Sequence, residues 1–394
     1  MRENRLKIRK LNIFLVILAL ACLLAAGGCG STSQIESTVD EVRKKLIGDN
    51  TLVVDSISED KYAYQTLNEE AKKVYDTIVY TIMNRESDVQ IATTDVKTME
   101  LAYQAVRYDY CEFFWVDQLN YVTYTRDNEI TAIEISPTYT MTESEQKKTQ
   151  EQIDQEVERI LAEAPADGSD FDRALYVYET LINEVDYVEN SENNQNIISV
   201  FINHETICQG YAYATQYLLE RLGIPCTTVT GNARGESHAW NLVQVDGDYY
   251  YVDTTWGDAS YRMENGSEQR SLPEINYDYL CVTTEDLLRT HRIEAVIPMP
   301  ECTATEANYY VREGSYFTSY DHEQMQAVFD RAIEGGRTEV TIKCADELCY
   351  QEICHALIDE QEIFSYMQIQ GNSNTVTYAQ NGKQLSLTFW VTNE

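Results

Sequence analysis

The stretch HAWNLVQVDGDYYYVDTTW, residues 238 to 256, constrains the fold more than any other part of this chain. Asp246-Gly247 lies at its centre, and Asp-Gly is a favoured pair for a two-residue type I′ turn between antiparallel strands. Side chains alternate on both flanks of the pair, as they do in strands with two different faces. We therefore predict a tight hairpin in which Val245 pairs with Asp248.

This register decides which side chains meet. It places His238 opposite Thr255 and Trp240 opposite Asp253, so His238 and Asp253 are diagonal neighbours on one face of the sheet. A slip of one residue would put them on opposite faces. The hairpin would let a carboxylate hold the imidazole in one tautomer and leave its other ring nitrogen free for a thiol.

The segment ETICQGYAYATQYLLERLGIP, residues 205 to 225, is typical of a helix of about fifteen residues. Thr206 stands three residues before Gln209, the spacing of a capping box, and a Gly and a Pro near the end act as stop signals. Cys208 is then the second residue of the helix. Backbone N–H groups of a first turn have no intrahelical partner and favour a thiolate over a thiol.

Each of these residues alone has a structural interpretation. A His beside a Trp and an Asp at a strand end are more often structural than catalytic, and position alone leaves Cys208 equally consistent with either role. The three together, in the order Cys208, His238, Asp253, favour a thiol-imidazole-carboxylate site.

Composition limits the class of protein. The chain has 394 residues, 43% of them hydrophobic, which predicts more than one folded domain. Its net charge of −35 argues against a nucleic-acid partner, because phosphate backbones would be repelled. No loop has the spacing of an EF-hand.

The N-terminus has the order of a secretory signal. Five basic residues lie within residues 1–10, an uncharged apolar run follows from Leu11 to Ala26, and the run ends in Gly-Gly-Cys. The LLAAGGC ending resembles the lipobox of bacterial lipoproteins, in which the cysteine is acylated. We predict a signal peptide over 1–28, lipidation of Cys29 and a tether over 29–50, which would hold the protein on the outer face of a bacterial membrane. An uncleaved single-span anchor is the alternative.

Periodicity divides the remainder into three parts. Residues 51–150 are predicted to form an N-terminal α+β region with two helices and a hairpin, and residues 151–300 to form the central domain. Residues 301–394 follow a Pro-containing linker and are predicted to form a C-terminal α+β module, with a strand at 308–311 and a last hairpin at Asn381-Gly382.

Four of the cysteines are predicted to be small core residues. Cys344, Cys349 and Cys354 are five apart and contain no CxxC, which favours core packing over metal binding. Cys226 follows a proline at the start of a strand and is also assigned to the core.

The two motifs TICQGYAYATQYLLERLGIPCTTVTG and SHAWNLVQVDGDYYYVDTTW resemble the core of the transglutaminase-like superfamily, with Cys208, His238 and Asp253 at the positions of its triad. YDYLCVTTEDLLRTH, residues 277–291, resembles the segment that often follows. Relatives often have Gly two residues before the nucleophile, where this chain has Thr206. The resemblance implies an α+β fold related to papain-like enzymes, with the helix that bears the nucleophile packed on an antiparallel sheet and smaller α+β regions on either side.

The resemblance also implies a chemistry. Cys208 would attack the carbonyl of a protein or peptide amide, His238 would protonate the leaving amine, and Asp253 would orient His238. Water or an amine would then resolve the thioester. The backbone N–H of Cys208 is the expected oxyanion donor, and the side chains of the residues Gln209, Tyr211 and Trp240 are further candidates for oxyanion or substrate contacts.

This chemistry needs no metal and no organic cofactor. The expected partners are a protein or peptide substrate, with the cell wall as one location, and the membrane through the lipid anchor. The alternative is a catalytically silent binding or scaffold lipoprotein that keeps the same fold.

Overall fold

The computed structural model describes residues 52, 54, 56, 58–258, 275–367 and 376–390. Its α-helices are α1 (Tyr62–Thr66), α2 (Glu69–Met83), α3 (Val96–Asp109), α4 (Glu143–Glu163), α5 (Asp170–Glu184), α6 (Cys208–Arg221), α7 (Thr254–Gly257), α8 (Thr284–Leu288), α9 (Tyr309–Arg312), α10 (His322–Glu334), α11 (Glu347–Cys354) and α12 (Ile363–Tyr366). Its strands are β1 (Val89–Gln90), β2 (Val116–Arg126), β3 (Glu129–Tyr139), β4 (Asp186–Tyr187), β5 (Glu205–Thr206), β6 (Cys226–Ala233), β7 (Glu236–Val245), β8 (Asp248–Val252), β9 (His291–Ile293), β10 (Tyr316–Phe317), β11 (Glu339–Cys344), β12 (Thr377–Asn381) and β13 (Ser386–Trp390).

The predicted signal peptide, Cys29 and the whole of the predicted tether lie outside the described residues. Within the described part, no helix combines the length and apolar character needed to cross a membrane.

Side-chain caps fix where the long helices before the site begin. The Asn68 side chain accepts a hydrogen bond from the backbone N–H of Ala71 and starts α2. Thr142 and Ser169 each form a complete capping box, at α4 and α5. These caps satisfy N–H groups that have no partner within the helix, and each helix begins at the residue after its cap.

The region before α5 supports the back of helix α6. Lys61 pairs with Glu220 at 2.7 Å, and the Gln216 side chain donates to the backbone carbonyl of Asp109 at 3.2 Å. Asp109 is buried and accepts hydrogen bonds from the first N–H groups of α1 through its carboxylate. The N-terminal region therefore packs against the second half of α6, the helix that begins at Cys208.

One apolar core extends from Ala63 to Ala307. The predicted division after residue 150 falls within α4, and this core continues past it. A second core lies within residues 317–389. The predicted division of the chain into regions 51–150, 151–300 and 301–394 stays a prediction.

The central sheet has the strand order β8-β7-β6-β9, and all its neighbours are antiparallel. Asp246 and Gly247 have φ values of 52° and 96°, as a type I′ turn requires, and Val245 pairs with Asp248. Helix α6 packs on this sheet, where Asn241 donates to the carbonyl of Ala212 at 2.9 Å. The predicted α+β architecture, a helix on an antiparallel sheet, is confirmed.

The C-terminal module is a second four-stranded sheet, ordered β10-β11-β13-β12, with helices α10 and α11 packed against it. Cys344 and Cys349 are buried in its core, as predicted, while Cys354 is half-buried. The strand predicted at 308–311 is wrong. Asn308 caps the short helix α9 there, and the hydroxyl of Tyr310 donates to Asp278 at 3.1 Å, a tertiary contact that outweighs the local preference for a strand.

Candidate active site

Cys208 is the first residue of α6 and is half-buried. The residue before it, Ile207, makes no side-chain cap, so its side chain does not occupy the N–H groups of the first turn. The first turn of a helix carries the positive end of the helix dipole, which favours an anion placed beside it. The position at a helix start is confirmed, one residue earlier than predicted.

The capping box predicted between Thr206 and Gln209 is wrong. The Thr206 hydroxyl instead lies 2.6 Å from the hydroxyl of Ser199 and donates to the carbonyl of Asn194. Thr206 belongs to strand β5, which pairs with β4. The threonine therefore anchors the chain before Cys208 to a neighbouring loop.

Gly210 completes this entry to the helix. A Cβ atom at Gly210 would lie 1.9 Å from the Thr206 hydroxyl oxygen and 3.1 Å from that of Ser199. The hydroxyl pair thus occupies the space that a side chain would need, which places a glycine two residues after Cys208.

His238 and Asp253 meet as the sequence predicts. Nε2 of His238 lies 2.8 Å from Oδ2 of Asp253, and both side chains are almost fully buried. The ladder between the two strands ends at Asn241 and Val252, so the predicted pairs of His238 with Thr255 and of Trp240 with Asp253 do not form. The chain instead turns at Asp253 into the short helix α7, and this turn places the carboxylate of Asp253 beside the ring of His238.

Hydrogen bonding assigns the two nitrogens of His238. Because Nε2 is bound to Asp253, Nδ1 is the nitrogen available to Cys208, which lies close enough to His238 to raise the pKa of the ring. Burial by itself lowers the pKa of His238, but Asp253 and Cys208 more than offset it and raise the pKa to about 10. The ring is therefore an imidazolium at neutral pH.

Asp253 has the opposite shift. Burial by itself raises the pKa of this carboxyl, but His238 and His291 hold the pKa below its usual range. Its other oxygen, Oδ1, accepts from the backbone N–H of Trp256 at 3.1 Å. The carboxylate is thus ionised and held at both oxygens.

His291 is a site residue that the sequence analysis missed. It is fully buried, and its Nε2 lies 2.9 Å from the same Oδ2 atom that binds His238. Strand β9 brings it in, because Ala233 pairs with His291 and Gly231 with His238 across β6. The sequence offered one signal, the position of His291 at the end of the quoted segment 277–291.

Aromatic rings enclose the two histidines. Trp240 stacks on His238 at 5.8 Å between ring centroids and meets His291 edge-on at 5.1 Å. Trp256 lies 4.7 Å from His291, and Arg234 lies over the outer face of Trp256. These rings exclude water from the charged pair, which strengthens its electrostatic interaction.

The three side chains considered as oxyanion or substrate contacts differ in placement. Gln209 is half-buried beside Cys208 at the helix start. The hydroxyl of Tyr211 is buried and bound to the carbonyl of Val185 and to the carboxylate of Asp258. Trp240 is buried, and its Nε1 has no hydrogen-bond partner among the described residues. Of the three, Gln209 is the side chain that stands nearest to solvent.

The described residues contain one group that could hold a metal ion, formed by His238, Asp253 and His291, whose candidate ligand atoms lie within 4.8 Å of one another. Both Nε2 atoms contact the same oxygen at 2.8 and 2.9 Å, which are hydrogen-bond distances. A bound ion would require both rings to give up these bonds. The geometry fits a hydrogen-bonded cluster.

A cavity of about 760 Å³ lies elsewhere. Its lining includes Glu220 and Arg221 of the last turn of α6, together with Lys61 and Trp115. Cys208 is at the opposite end of that helix, on the order of 20 Å away at 1.5 Å per residue. None of the predicted site residues lines this cavity.

Residues 157–254 match the family model of the transglutaminase-like superfamily. This part of the chain, which holds Cys208, His238 and Asp253, is therefore similar to that superfamily and has a transglutaminase-like fold. The match ends before His291.

Curated relatives match a smaller share of their own length. The kyphoscoliosis peptidase of Homo sapiens is 28% identical over 120 residues, which are 27% of this chain and 18% of the human protein. The kyphoscoliosis peptidase of Mus musculus is 34% identical over 65 residues, 14% of this chain and 10% of the mouse protein. The chain thus spans less than a fifth of either relative. A solved structure of a TGase is 18% identical, covers 39% of this chain and 47% of its own, and has a TM-score of 0.27.

Proposed function

We propose that this protein is a thiol enzyme that acts on protein or peptide amide bonds through a thioester on Cys208. One observation carries the proposal, namely that a thiol at a helix start is adjacent to a buried imidazolium that is itself bound to a carboxylate.

The reaction follows from these contacts. The Cys208 thiolate attacks the amide carbonyl, and the proton on Nδ1 of His238 passes to the leaving amine. Asp253 stabilises the imidazolium before this transfer and keeps the ring in its orientation afterwards. The backbone N–H of Cys208, at the start of α6, is the proposed donor to the oxyanion.

The second half of the reaction decides the class of enzyme. Neutral His238 then takes a proton from water, which gives hydrolysis, or from an amine, which gives acyl transfer. Incubating purified residues 30–394 with a peptide library, with and without a labelled primary amine, separates these outcomes. Release of peptide fragments identifies a hydrolase, and incorporated amine identifies a transferase.

Alkylation tests whether the thiol is activated at all. Iodoacetamide at pH 7 should label Cys208 faster than Cys226, whose burial raises its pKa well above the ordinary value. Mass spectrometry of the labelled peptides gives both rates in one sample. Equal rates would contradict the enzymatic proposal and favour the silent scaffold.

We also propose that the chain is anchored to the outer face of a bacterial membrane by a lipid on Cys29. The basic, apolar and Gly-Gly-Cys order of residues 1–29 supports this proposal. Expression in a bacterium should give a membrane-associated protein that Cys29→Ala releases into the soluble fraction. Continued membrane association of that variant would favour the uncleaved span.

A further inference from the structure

We propose that His291 is a positioning residue for Asp253 and that the C-terminal module holds His291 in place through Gln384 and Thr290. The inference rests on the proposed function for its chemical meaning, because it concerns the same carboxylate. It adds a fourth side chain to the site, and it assigns to the C-terminal module the role of holding that side chain in place.

The first contact is between His291 and the carboxylate. Asp253 is ionised and can only accept hydrogen bonds, so Nε2 of His291 donates to it at 2.9 Å. His238 donates to the same oxygen at 2.8 Å. With one donor on each side, Oδ2 is held between two rings and cannot swing away from His238.

The second contact fixes His291 itself. Its Nδ1 lies 2.9 Å from the hydroxyl of Thr290. A ring bound at both nitrogens, with Trp240 and Trp256 packed against it, has a single orientation. The tautomer that donates from Nε2 leaves Nδ1 free to accept the hydroxyl proton of Thr290.

The third contact comes from the C-terminal module. Nε2 of Gln384 donates to the Thr290 hydroxyl oxygen at 3.2 Å and to the carbonyl of Asp286 at 3.3 Å. Gln384 lies in the turn between β12 and β13 and is fully buried. The glutamine therefore donates to one lone pair of the hydroxyl, and the proton of the hydroxyl goes to Nδ1 of His291 at 2.9 Å, a much shorter contact than the 3.5 Å to the carbonyl of Leu287.

Buried Lys343 fixes which end of the Gln384 amide faces Thr290. Its Nζ contacts the side-chain oxygen of Gln384 at 3.4 Å and the backbone oxygen of the same residue at 2.5 Å. Lysine has donors and no acceptor, so the amide oxygen must face Lys343 and the amide nitrogen must face Thr290. Lys343 therefore donates to Gln384, Gln384 to Thr290, Thr290 to His291, and His291 to Asp253.

The module is also docked at a second point. Asn381 and Ser386 donate to the carboxylate of Asp278 at 2.9 and 2.7 Å. This anchor lies on the same hairpin as Gln384 but makes no contact with His291. It provides a control that separates docking of the module from the contact to Thr290.

The test uses the folded protein of residues 30–394 and two readouts that need no amide substrate. The first is the rate at which iodoacetamide alkylates Cys208, and the second is the NMR titration of the His238 ring. The variants His291→Leu, His291→Gln and Thr290→Val change the first two contacts. Gln384→Leu and Ser386→Ala compare the proposed contact with simple docking.

His291→Leu should slow alkylation of Cys208 by about 10- to 100-fold, because the carboxylate loses a charge-assisted donor. His291→Gln keeps an amide donor near the position of Nε2 and should recover most of the rate. Thr290→Val and Gln384→Leu should slow it by about 3- to 10-fold, and Ser386→Ala should leave it within twofold of the wild type.

Several results would overturn the inference. One is His291→Leu with an unchanged alkylation rate and an unchanged His238 titration. Another is His291→Gln as slow as His291→Leu, and a third is Ser386→Ala as slow as Gln384→Leu. If wild-type Cys208 proves no faster than Cys226, the proposed function fails, and the His238 titration in His291→Leu still decides the inference.

Discussion

His238 and Asp253 are 15 residues apart in sequence, and their side chains meet at 2.8 Å in a place almost without solvent. Two charges removed from water in this way stabilise each other, and the loss of either leaves the other buried without a partner. Substitutions at these positions should therefore alter both the reactivity of Cys208 and the stability of the fold. Both effects should depend on pH.

Replacing His238 with Ala should reduce amide turnover by about 10³-fold or more, because the proton donor to the leaving amine is lost. Alkylation of Cys208 should slow as well, since the thiolate loses its imidazolium. The measurement is kcat/KM for any peptide found to be turned over, together with the labelling rate. His355→Ala, which removes an exposed histidine of the C-terminal module, is the matched control and should match the wild type.

Asp253→Asn should lower the pKa of His238 from about 10 toward its ordinary value, because the carboxylate provides the main stabilisation of the imidazolium. Turnover should fall by about 10²- to 10⁴-fold. NMR titration of the His238 ring measures the first effect directly. An unchanged pKa in this variant would mean that the carboxylate does not hold the ring charged.

The stability contributed by His238 should depend on pH. Its pKa is raised in the folded state, from 6.5 to about 10, so the folded state binds the proton more tightly. That stability is fully present below pH 6.5 and is lost as pH rises toward 10. The difference in free energy of unfolding between the wild type and His238→Gln should shrink over this range by at least about 1.4 kcal/mol, the worth of one pKa unit. Urea denaturation at pH 6, 8 and 10 measures it, and a constant difference would contradict the raised pKa.

Gly210→Ala should destabilise the start of α6. The added methyl group would collide with the Thr206 hydroxyl at 1.9 Å, so the anchor to Ser199 must move. We expect a loss of about 1–3 kcal/mol in the free energy of unfolding and slower alkylation of Cys208. Gly382→Ala is the control, because a Cβ atom there meets its nearest neighbour at 3.9 Å. The double variant Gly210→Ala with Thr206→Ala should recover part of the loss.

Tyr211→Phe should separate a structural role from an oxyanion role. Its hydroxyl is already bound to the Val185 carbonyl and to Asp258, so removing it should cost about 1–3 kcal/mol of stability. The folded variant should retain its kcat, because the hydroxyl is already engaged by Val185 and Asp258. A fall in kcat of more than tenfold without a change in melting temperature would return Tyr211 to the oxyanion site.

The hairpin and its two site residues could be predicted because their information is local. Asp-Gly sets the turn, and the turn sets the register of the ladder as far as Asn241 and Val252. The ladder ends one residue before Asp253, so the final approach of its carboxylate to His238 depends on the turn into α7, which the pattern did not predict. The position of Cys208 at a helix start was likewise predictable from the helix pattern, although the capping residue was not. Thr206 bonds to Ser199 and Asn194, and such a choice among partners depends on how the loop packs.

His291 could not be predicted in the same way. It lies 38 residues from Asp253, and its place beside the carboxylate follows from the pairing of β9 with β6, which no local pattern specifies. The contact of Gln384 with Thr290 spans 94 residues and depends on docking of a separate sheet. The strand wrongly predicted at 308–311 fails for a related reason, since the tyrosines there find partners in the segment 277–279.

The turn at Asp246-Gly247 has a consequence for the order in which the site is assembled. A hairpin closes over a few residues on a timescale of microseconds, whereas contacts between distant segments wait for slower chain closure. The acid and the base should therefore be neighbours early in folding, before the nucleophile arrives from β5 and α6. A partly folded chain would have His238 and Asp253 close together while Cys208 was still distant. The thiol would become reactive only when the last long-range pairings had formed.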